Sequence, residues 1–322
     1  MNALIDPSPT NSSFSRQQPG MQLAIDSTSL GLFKECPRKY YYSIIEGWAP
    51  RDTSPHLTFG ILLHQARELY ERLKAATPQA SHDELLDGAL DWGLKVTWEQ
   101  DLGRPWISDH PLKNRKTFIQ TLVWYLDSKA QDDPLETVLR SDGKPMVELS
   151  FRFDSGLRTR GGEALLLCGH LDRIAKLNSS VYVPDIKTAS REPDAKWLAQ
   201  FSPHNQFTLY SIAGDVAFGF DVEGIIVDGV QVGATFARFQ RHLVPRDRAQ
   251  KSEWLEGLDY YVQAMEKCAT TGSWPMNESS CDKYGGCPFR KVCGRSPASR
   301  ETVLKLEFTR RVWDPLIARE GE

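Results

Sequence analysis

Apolar positions along this chain recur at two periods, and the period changes near residue 145. Between 58 and 76, Phe59, Leu62, Leu63, Ala66, Leu69, Tyr70 and Leu73 return every three or four residues, the spacing of one helical face. Residues 82–100 and 113–130 repeat the pattern. Ser27, Thr28 and Ser29 offer helix N-caps ahead of LGLFKECPRKYYY, and Pro37, which lacks an amide hydrogen, predicts a kink or restart just after Cys36. The first 130 residues are therefore read as mainly helical.

At PMVELSFRFD the period drops to two: Val147, Leu149, Phe151 and Phe153 alternate with Glu148, Ser150, Arg152 and Asp154, as in a half-buried strand. ALLLCGHLDRIAKL and VYVPDIK follow as strands joined by a tight Asn178-Ser179-Ser180 turn, and so make a hairpin. Residues 194–217 return to helical spacing, 224–242 hold two more strand-like runs, and a helix over 247–267 leads into the loop-rich CDKYGGCPFRKVCG. The fold class predicted is α/β, a central mixed sheet flanked by helices, with a helical N-terminal region and a cysteine-rich C-terminal segment. Residues 1–20 are expected to be a disordered leader and 21–296 a single domain, helical over 27–130, with a core over 145–242 and a final helix and cysteine segment over 247–294. Residues 297–322 are read as a tail.

With 322 residues, 40% of them hydrophobic, the chain can bury one large core or two modest ones. A net charge of -3 gives no global attraction to a polyanion, so such a partner must be held by local patches. KNRK at 113–116 is one; Arg238, Arg241, His242, Arg246 and Arg248 form another; Arg290, Lys291 and Arg295 crowd the C-terminal cysteines. Each is more often an ordinary solvated face. The longest apolar run, Ala164 to Cys168, is far below the ~20 residues of a membrane span, and the first twenty residues lack the basic start and apolar stretch of a secretory signal. A cytoplasmic location is expected. In that reducing setting, clustered cysteines argue for metal or cofactor ligation over disulfides.

Candidate chemistry begins at VPDIKTAS. On a strand Asp185 and Lys187 share a face while Ile186 points away. A hairpin about 178–180 sets Asp172 beside them, and two carboxylates ~4 Å apart at an effective dielectric of ~20 repel by roughly 4 kcal/mol. Something positive must offset this. Lys187 supplies one charge, and an oxygen cluster with a free apex also suits a hard divalent cation. The ordinary alternative is a surface Asp172–Arg173 pair and an Asp185–Lys187 salt bridge. The helix that follows carries Gln206 and Tyr210 at i and i+4, on one face. By itself His64 reads as an ordinary helix histidine. His170 lies two before Asp172 on the same side, Glu148 is a weaker candidate for a supporting acid, and His56, His82, His110, His204 and His242 join no constellation.

In this order SLGLFKECPRKYYY, FGILLHQARELYE, GHLDRI, PDIKT and QFTLY resemble the PD-(D/E)XK nuclease superfamily, in particular its RecB/AddB-like exonuclease branch, over roughly residues 27–294. The resemblance implies a restriction-endonuclease-like core. It implies His64, Asp172, Asp185 and the Ile186 carbonyl as ligands of Mg2+ or Mn2+, with Asp172, Asp185 and Lys187 catalytic, Lys187 orienting or activating the attacking water. Gln206 and Tyr210 would hold the DNA strand or steady the site, and His170 is left as a DNA contact. The implied activity is a metal-dependent deoxyribonuclease, an exonuclease on single strands or DNA ends, in recombination, repair or genome processing. The alternative is a DNA-binding or assembly subunit that keeps the fold without turnover. No Gly-x-x-x-x-Gly-Lys-Ser/Thr loop occurs, so unwinding falls to a partner helicase in trans.

Cys281, Cys287 and Cys293 lie in a Gly- and Pro-bearing segment with little else to fold around, and Cys36 is available as a fourth thiol. The set resembles the iron-sulfur staple of AddB-type and CRISPR-associated members, which implies a 4Fe-4S cluster on Cys36, Cys281, Cys287 and Cys293. That arrangement has two residues between the first pair of the C-terminal trio where this chain has five, and zinc on the same thiolates is the competing reading. Cys168 and Cys268 read as ordinary buried thiols.

Overall fold

The computed structural model describes residues 12–52 and 54–317, and the chain expected to be one domain divides into two compact units. The first holds 12–52, 150–169 and 248–317; the second holds 54–149 and 170–247. The strands Val147–Arg158 and Ala164–Arg173 contribute to both, which is why no break in composition marks the division.

In the first unit, residues 12–20 of the expected leader are tied down. Phe14 bridges Gln22, the Ser15 amide donates to the Met21 carbonyl, and Ser13 is buried. Residues 1–11 lie outside the described residues. The helix Ser27–Glu35 is capped one residue earlier than the sequence pattern suggests: the Asp26 carboxylate accepts from the Ser29 amide and the Ser29 hydroxyl accepts from the Asp26 amide. It stops at Cys36, and Pro37 opens the separate short helix Pro37–Tyr40. The segment read as a tail carries regular structure over 297–310. Pro297–Glu307 is helical and Phe308–Arg310 pairs antiparallel with Trp48–Pro50, because Leu304 and Phe308 bury beside Tyr42, Trp48, Phe289 and Val292.

The second unit packs three helices on a sheet. Pro55–Ala76, His82–Val96 and Arg115–Asp132 bury Phe59, Leu63, Ala66, Ala89, Phe118 and Leu122 together, and the cluster closes on Ile186, Val230 and Val232. The five-stranded mixed sheet runs in the order Ala237–Pro245, Val222–Val232, Ser180–Ala189, Ala175–Leu177, Leu135–Thr137. Its second and third strands are parallel and its other neighbours antiparallel.

Two expectations change here. The hairpin is short, because the strand Ala164–Arg173 ends before Ile174, whose amide donates to Met146 and whose carbonyl accepts from Val138. Only Ala175–Leu177 pairs with Ser180–Tyr182, about Asn178 at φ 55°. Continuing that register would face Asp172 with Asp185, but the ladder has already stopped, and the two acids lie on strands of different sheets. The helix expected over 194–217 breaks into Ala195–Leu198, a single 3-10 turn, and Asn205–Phe218, with Pro203 in the gap lacking an amide to donate.

A buried ionic network joins these layers. Arg241 reaches Asp228 at 2.6 Å and Asp133 at 2.5 Å; Lys129 and the Tyr125 hydroxyl also bond Asp228; Arg67 and Arg173 converge on Glu71. Burial alone would raise the Asp228, Asp133 and Glu71 carboxyls, but the guanidinium groups outweigh it and hold all three below the usual range. Their depressed pKa values contribute stability that is present above the unfolded value near ~4 and is lost as pH falls below it. Asp228→Ala, which strands Arg241 and Lys129, should cost about 3–5 kcal/mol at neutral pH, with the gap from wild type closing below about pH 4. Thermal or urea unfolding across pH reads this; a neutral-pH cost below about 0.5 kcal/mol would show that the network does not stabilise the unit.

Candidate active site

His64 reaches the sheet because its apolar neighbours do. Leu63 and Ala66 dock the helix Pro55–Ala76 onto Ile186, and the imidazole lands against the backbone of that same residue. Its Nε2 is 2.9 Å from the Ile186 carbonyl and 4.0 Å from Asp185 Oδ1; its Nδ1 is 3.0 Å from Asp172 Oδ2. One donor atom from each of His64, Asp172 and Asp185 lies within 4.8 Å of the others. The break at Ile174 therefore does not separate the acids, since the histidine spans the gap between them.

Asp185 is 1% exposed and accepts no well-formed hydrogen bond among the described residues, yet Lys187 Nζ stands 2.8 Å from its Oδ2. Lys187 in turn donates to Gln206 Oε1 at 2.8 Å, and Gln206 Nε2 donates to the Tyr210 hydroxyl at 2.9 Å. Gln206 and Tyr210 thus brace the lysine from the helix Asn205–Phe218. The surface-pair alternative fails for Arg173, which is buried and bonded to Glu71.

The electrostatics describe two carboxylates held together by neighbouring cations. Burial raises the Asp185 carboxyl and Asp172 pushes it further, with Lys187 pulling back. For Asp172, burial is outweighed by the His64 imidazole, and its carboxyl falls below the usual range. Burial lowers His64, but Asp172 and Asp185 more than compensate and hold it at about 9. At neutral pH the ring is thus an imidazolium donating from both nitrogens, a cation lodged among three oxygens. A divalent ion suits the same donors: one imidazole and two carboxylates within 4.8 Å compare with ~4.2 Å across a six-coordinate magnesium shell with ~2.1 Å bonds, and the Ile186 carbonyl lies 2.9 Å from the imidazole. The unbonded Asp185 oxygens are the atoms with most to gain.

Sequence reasoning missed part of this cleft. Arg67, Glu71, Tyr125 and Asp228 line it together with Glu148, Arg173, His64 and Asp172. Two signals were available: Arg67 and Glu71 stand at i and i+4 on the helix of His64, and Asp228 interrupts the apolar run IIVDGV. Glu148, singled out as a supporting acid, is buried with a left-handed backbone at φ 48°, a strain of about 1–2 kcal/mol for a residue with a Cβ. His170 is half-buried on the Asp172 strand. His204 packs between Phe201 and Phe207, and burial holds it at about 4. Two members of the 238–248 basic patch are structural: Arg241 belongs to the ionic network and Arg246 bonds Thr208 and the Phe201 carbonyl.

In the first unit the cysteines approach one another. The Cys287 thiol feels Cys281 and Cys36, and that of Cys293 feels Cys287 and Cys36, while burial raises both. The Asn277 amide donates to Cys36 Sγ at 3.4 Å, and Lys39, Arg38 and Arg300 supply positive charge nearby. Among the described residues no three cysteines are drawn together as His64, Asp172 and Asp185 are. Cys168 is buried and Cys268 half-buried.

In protein without metal, a nuclear magnetic resonance titration of the His64 ring should give a midpoint near 9, shifting by more than one unit toward the ordinary ~6.5 in Asp172→Asn. An unshifted midpoint would mean that Asp172 does not hold the imidazolium.

A family model described as the PD-(D/E)XK nuclease superfamily matches residues 27–294. No curated protein sequence matches the chain. Among solved structures, a candidate exonuclease from Eubacterium rectale aligns at 12% identity and TM-score 0.47, covering 81% of this chain and 86% of its own. The protein SSO0001 aligns at 13% identity and TM-score 0.35, covering 85% and 87%. Superpositions this loose carry no argument about the site. The family match spans the His64 helix, both acid-bearing strands, the lysine and the bracing glutamine, and on that extent the chain belongs to the PD-(D/E)XK nuclease superfamily.

Proposed function

We propose that this protein is a Mg2+- or Mn2+-dependent deoxyribonuclease, acting as an exonuclease on single strands or DNA ends in recombination, repair or genome processing, with any unwinding supplied by a partner helicase. The observation that carries the reading is the convergence of His64, Asp172 and Asp185 within 4.8 Å, with Lys187 held at 2.8 Å from Asp185. His64, Asp172, Asp185 and the Ile186 carbonyl would hold the cation, which when bound offsets the charge developing on the phosphate under attack. Asp185 and Gln206 fix the Lys187 ammonium from two sides, so that it meets a phosphate oxygen or the attacking water without reorganising. Tyr210 fixes the Gln206 amide and thereby which end faces the lysine. These residues would position Lys187, a narrower role than gripping DNA. The His64 proton and the cation compete for one position, so cation binding should release a proton near neutral pH.

A catalytically silent DNA-binding or assembly subunit is the second reading. The retention of Asp172, Asp185 and Lys187 in bonded register weighs against it. We assign the thiols of Cys36, Cys281, Cys287 and Cys293 to a 4Fe-4S cluster; the approach of Cys287 and Cys293 to Cys36, and of Cys281 to Cys287, supports a shared site, and zinc on the same thiolates is the alternative.

End-labelled DNA with Mg2+ or Mn2+ tests the activity. Asp185→Ala and Lys187→Ala should each lose roughly 10²–10⁴-fold in turnover; equal product from all three proteins would end the assignment. Anaerobically purified protein should be brown with iron and sulfide, and Cys287→Ala should lose the colour. A colourless preparation with stoichiometric zinc would replace the cluster by zinc.

A further inference from the structure

Lys113 begins the KNRK run read from sequence as a solvated patch, but it is 2% exposed. Its ammonium has no hydrogen-bond partner among the described residues and lies 4.2 Å over the Phe59 ring. An unpaired ammonium out of water is costly, and burial alone lowers its pKa, to about 8. Nothing in the ionic network or the His64 cluster uses it.

Its neighbours suit an anion. Phe59 lies in the first turns of the 22-residue helix Pro55–Ala76, and among the described residues the N-cap Ser54 side chain makes no capping bond at this positive end of the helix dipole. His56, in the first turn, is close enough to Lys113 and His110 for both to depress its pKa, after burial. The His56 and His110 rings meet edge to face at 4.5 Å. His110 Nδ1 accepts from the amides of Leu112 and Lys113, which leaves the ring proton on Nε2.

We propose that Lys113, His56, His110 and the N-terminus of the helix Pro55–Ala76 form a phosphate subsite for the bound nucleic-acid strand, distinct from the position where the strand is cut. The inference rests on the nuclease reading of the His64 site. His56 and His64 are eight residues apart on one helix, roughly 12 Å along its axis and about 80° around it, so a strand crossing the cut site passes the subsite within a few nucleotides. The subsite sets where along the strand cleavage falls and contributes affinity without touching the reacting phosphate.

Binding of a fluorescent single-stranded oligonucleotide in EDTA reads the subsite without turnover. Lys113→Met, which keeps the contact with Phe59, should bind roughly five- to tenfold more weakly, with a salt slope shallower by about 0.7. Its thermal midpoint without DNA should equal or exceed wild type, since the unpaired charge is gone. Neutralising single linkages as methylphosphonates should reveal one that matters to wild type and not to Lys113→Met. Loss confined to an internal linkage assigns a phosphodiester, and loss only on removing a 5′-phosphate assigns a strand end; both support the site. His56→Gln should give the same pattern more weakly. If both variants bind with wild-type affinity, salt slope and linkage scan, the subsite does not exist. An inactive wild-type protein would refute the nuclease reading while leaving these binding results to decide the subsite.

Discussion

Two carboxylates that the fold will not let separate are the constraint around which this protein is arranged. Asp172 and Asp185 arrive on strands of different sheets, one of them almost completely buried, and at a few ångströms they repel by roughly 4 kcal/mol unless a cation intervenes. The His64 imidazolium and the Lys187 ammonium satisfy that requirement here. Packing supports the arrangement: Leu63 and Ala66 of the His64 helix share one buried cluster with Ile186, and Ile186 sits between Asp185 and Lys187 on the strand. The hydrophobic contact that stabilises the layer also fixes the ligand geometry.

A second layer of charge holds the frame. Glu71, Asp133 and Asp228, with Arg67, Lys129, Arg173 and Arg241, tie the helices Pro55–Ala76 and Arg115–Asp132 to the strands Val222–Val232 and Ala237–Pro245. The cleft lined by His64 and Asp172 is also lined by Arg67, Glu71 and Asp228, so the rigid ionic frame and the candidate metal site share a wall. Charges buried this way favour one arrangement over others more than they add to net stability. That suits a site whose donors must stay within a coordination sphere.

The Asp185–Lys187 pair was legible because strand alternation is strict, and the His64 helix because its apolar face is long and regular. The break at Ile174 was not, since it depends on Met146 and Val138 claiming its backbone groups, a choice that no local pattern records. The ionic network was equally hidden: Arg241 pairs with Asp133, 108 residues away. Lys113 was misjudged because a basic run does not reveal which of its members turns inward, and only the fold brings Phe59 beneath it. The order of residues 12–20 and of the segment after 297 is hidden for a related reason. Ser13, Leu304 and Phe308 find their partners far along the chain.

Crystals grown or soaked with Mn2+ and recorded at an anomalous wavelength test the central claim most directly. The account predicts one strong peak bonded to His64 Nε2, the Ile186 carbonyl and both carboxylates at roughly 2.1–2.3 Å, with the His64 contacts to Ile186 and to Asp172 both given up to the ion. A fully loaded crystal with Mn2+ elsewhere, and His64 still an imidazolium between Asp172 and Ile186, would contradict it.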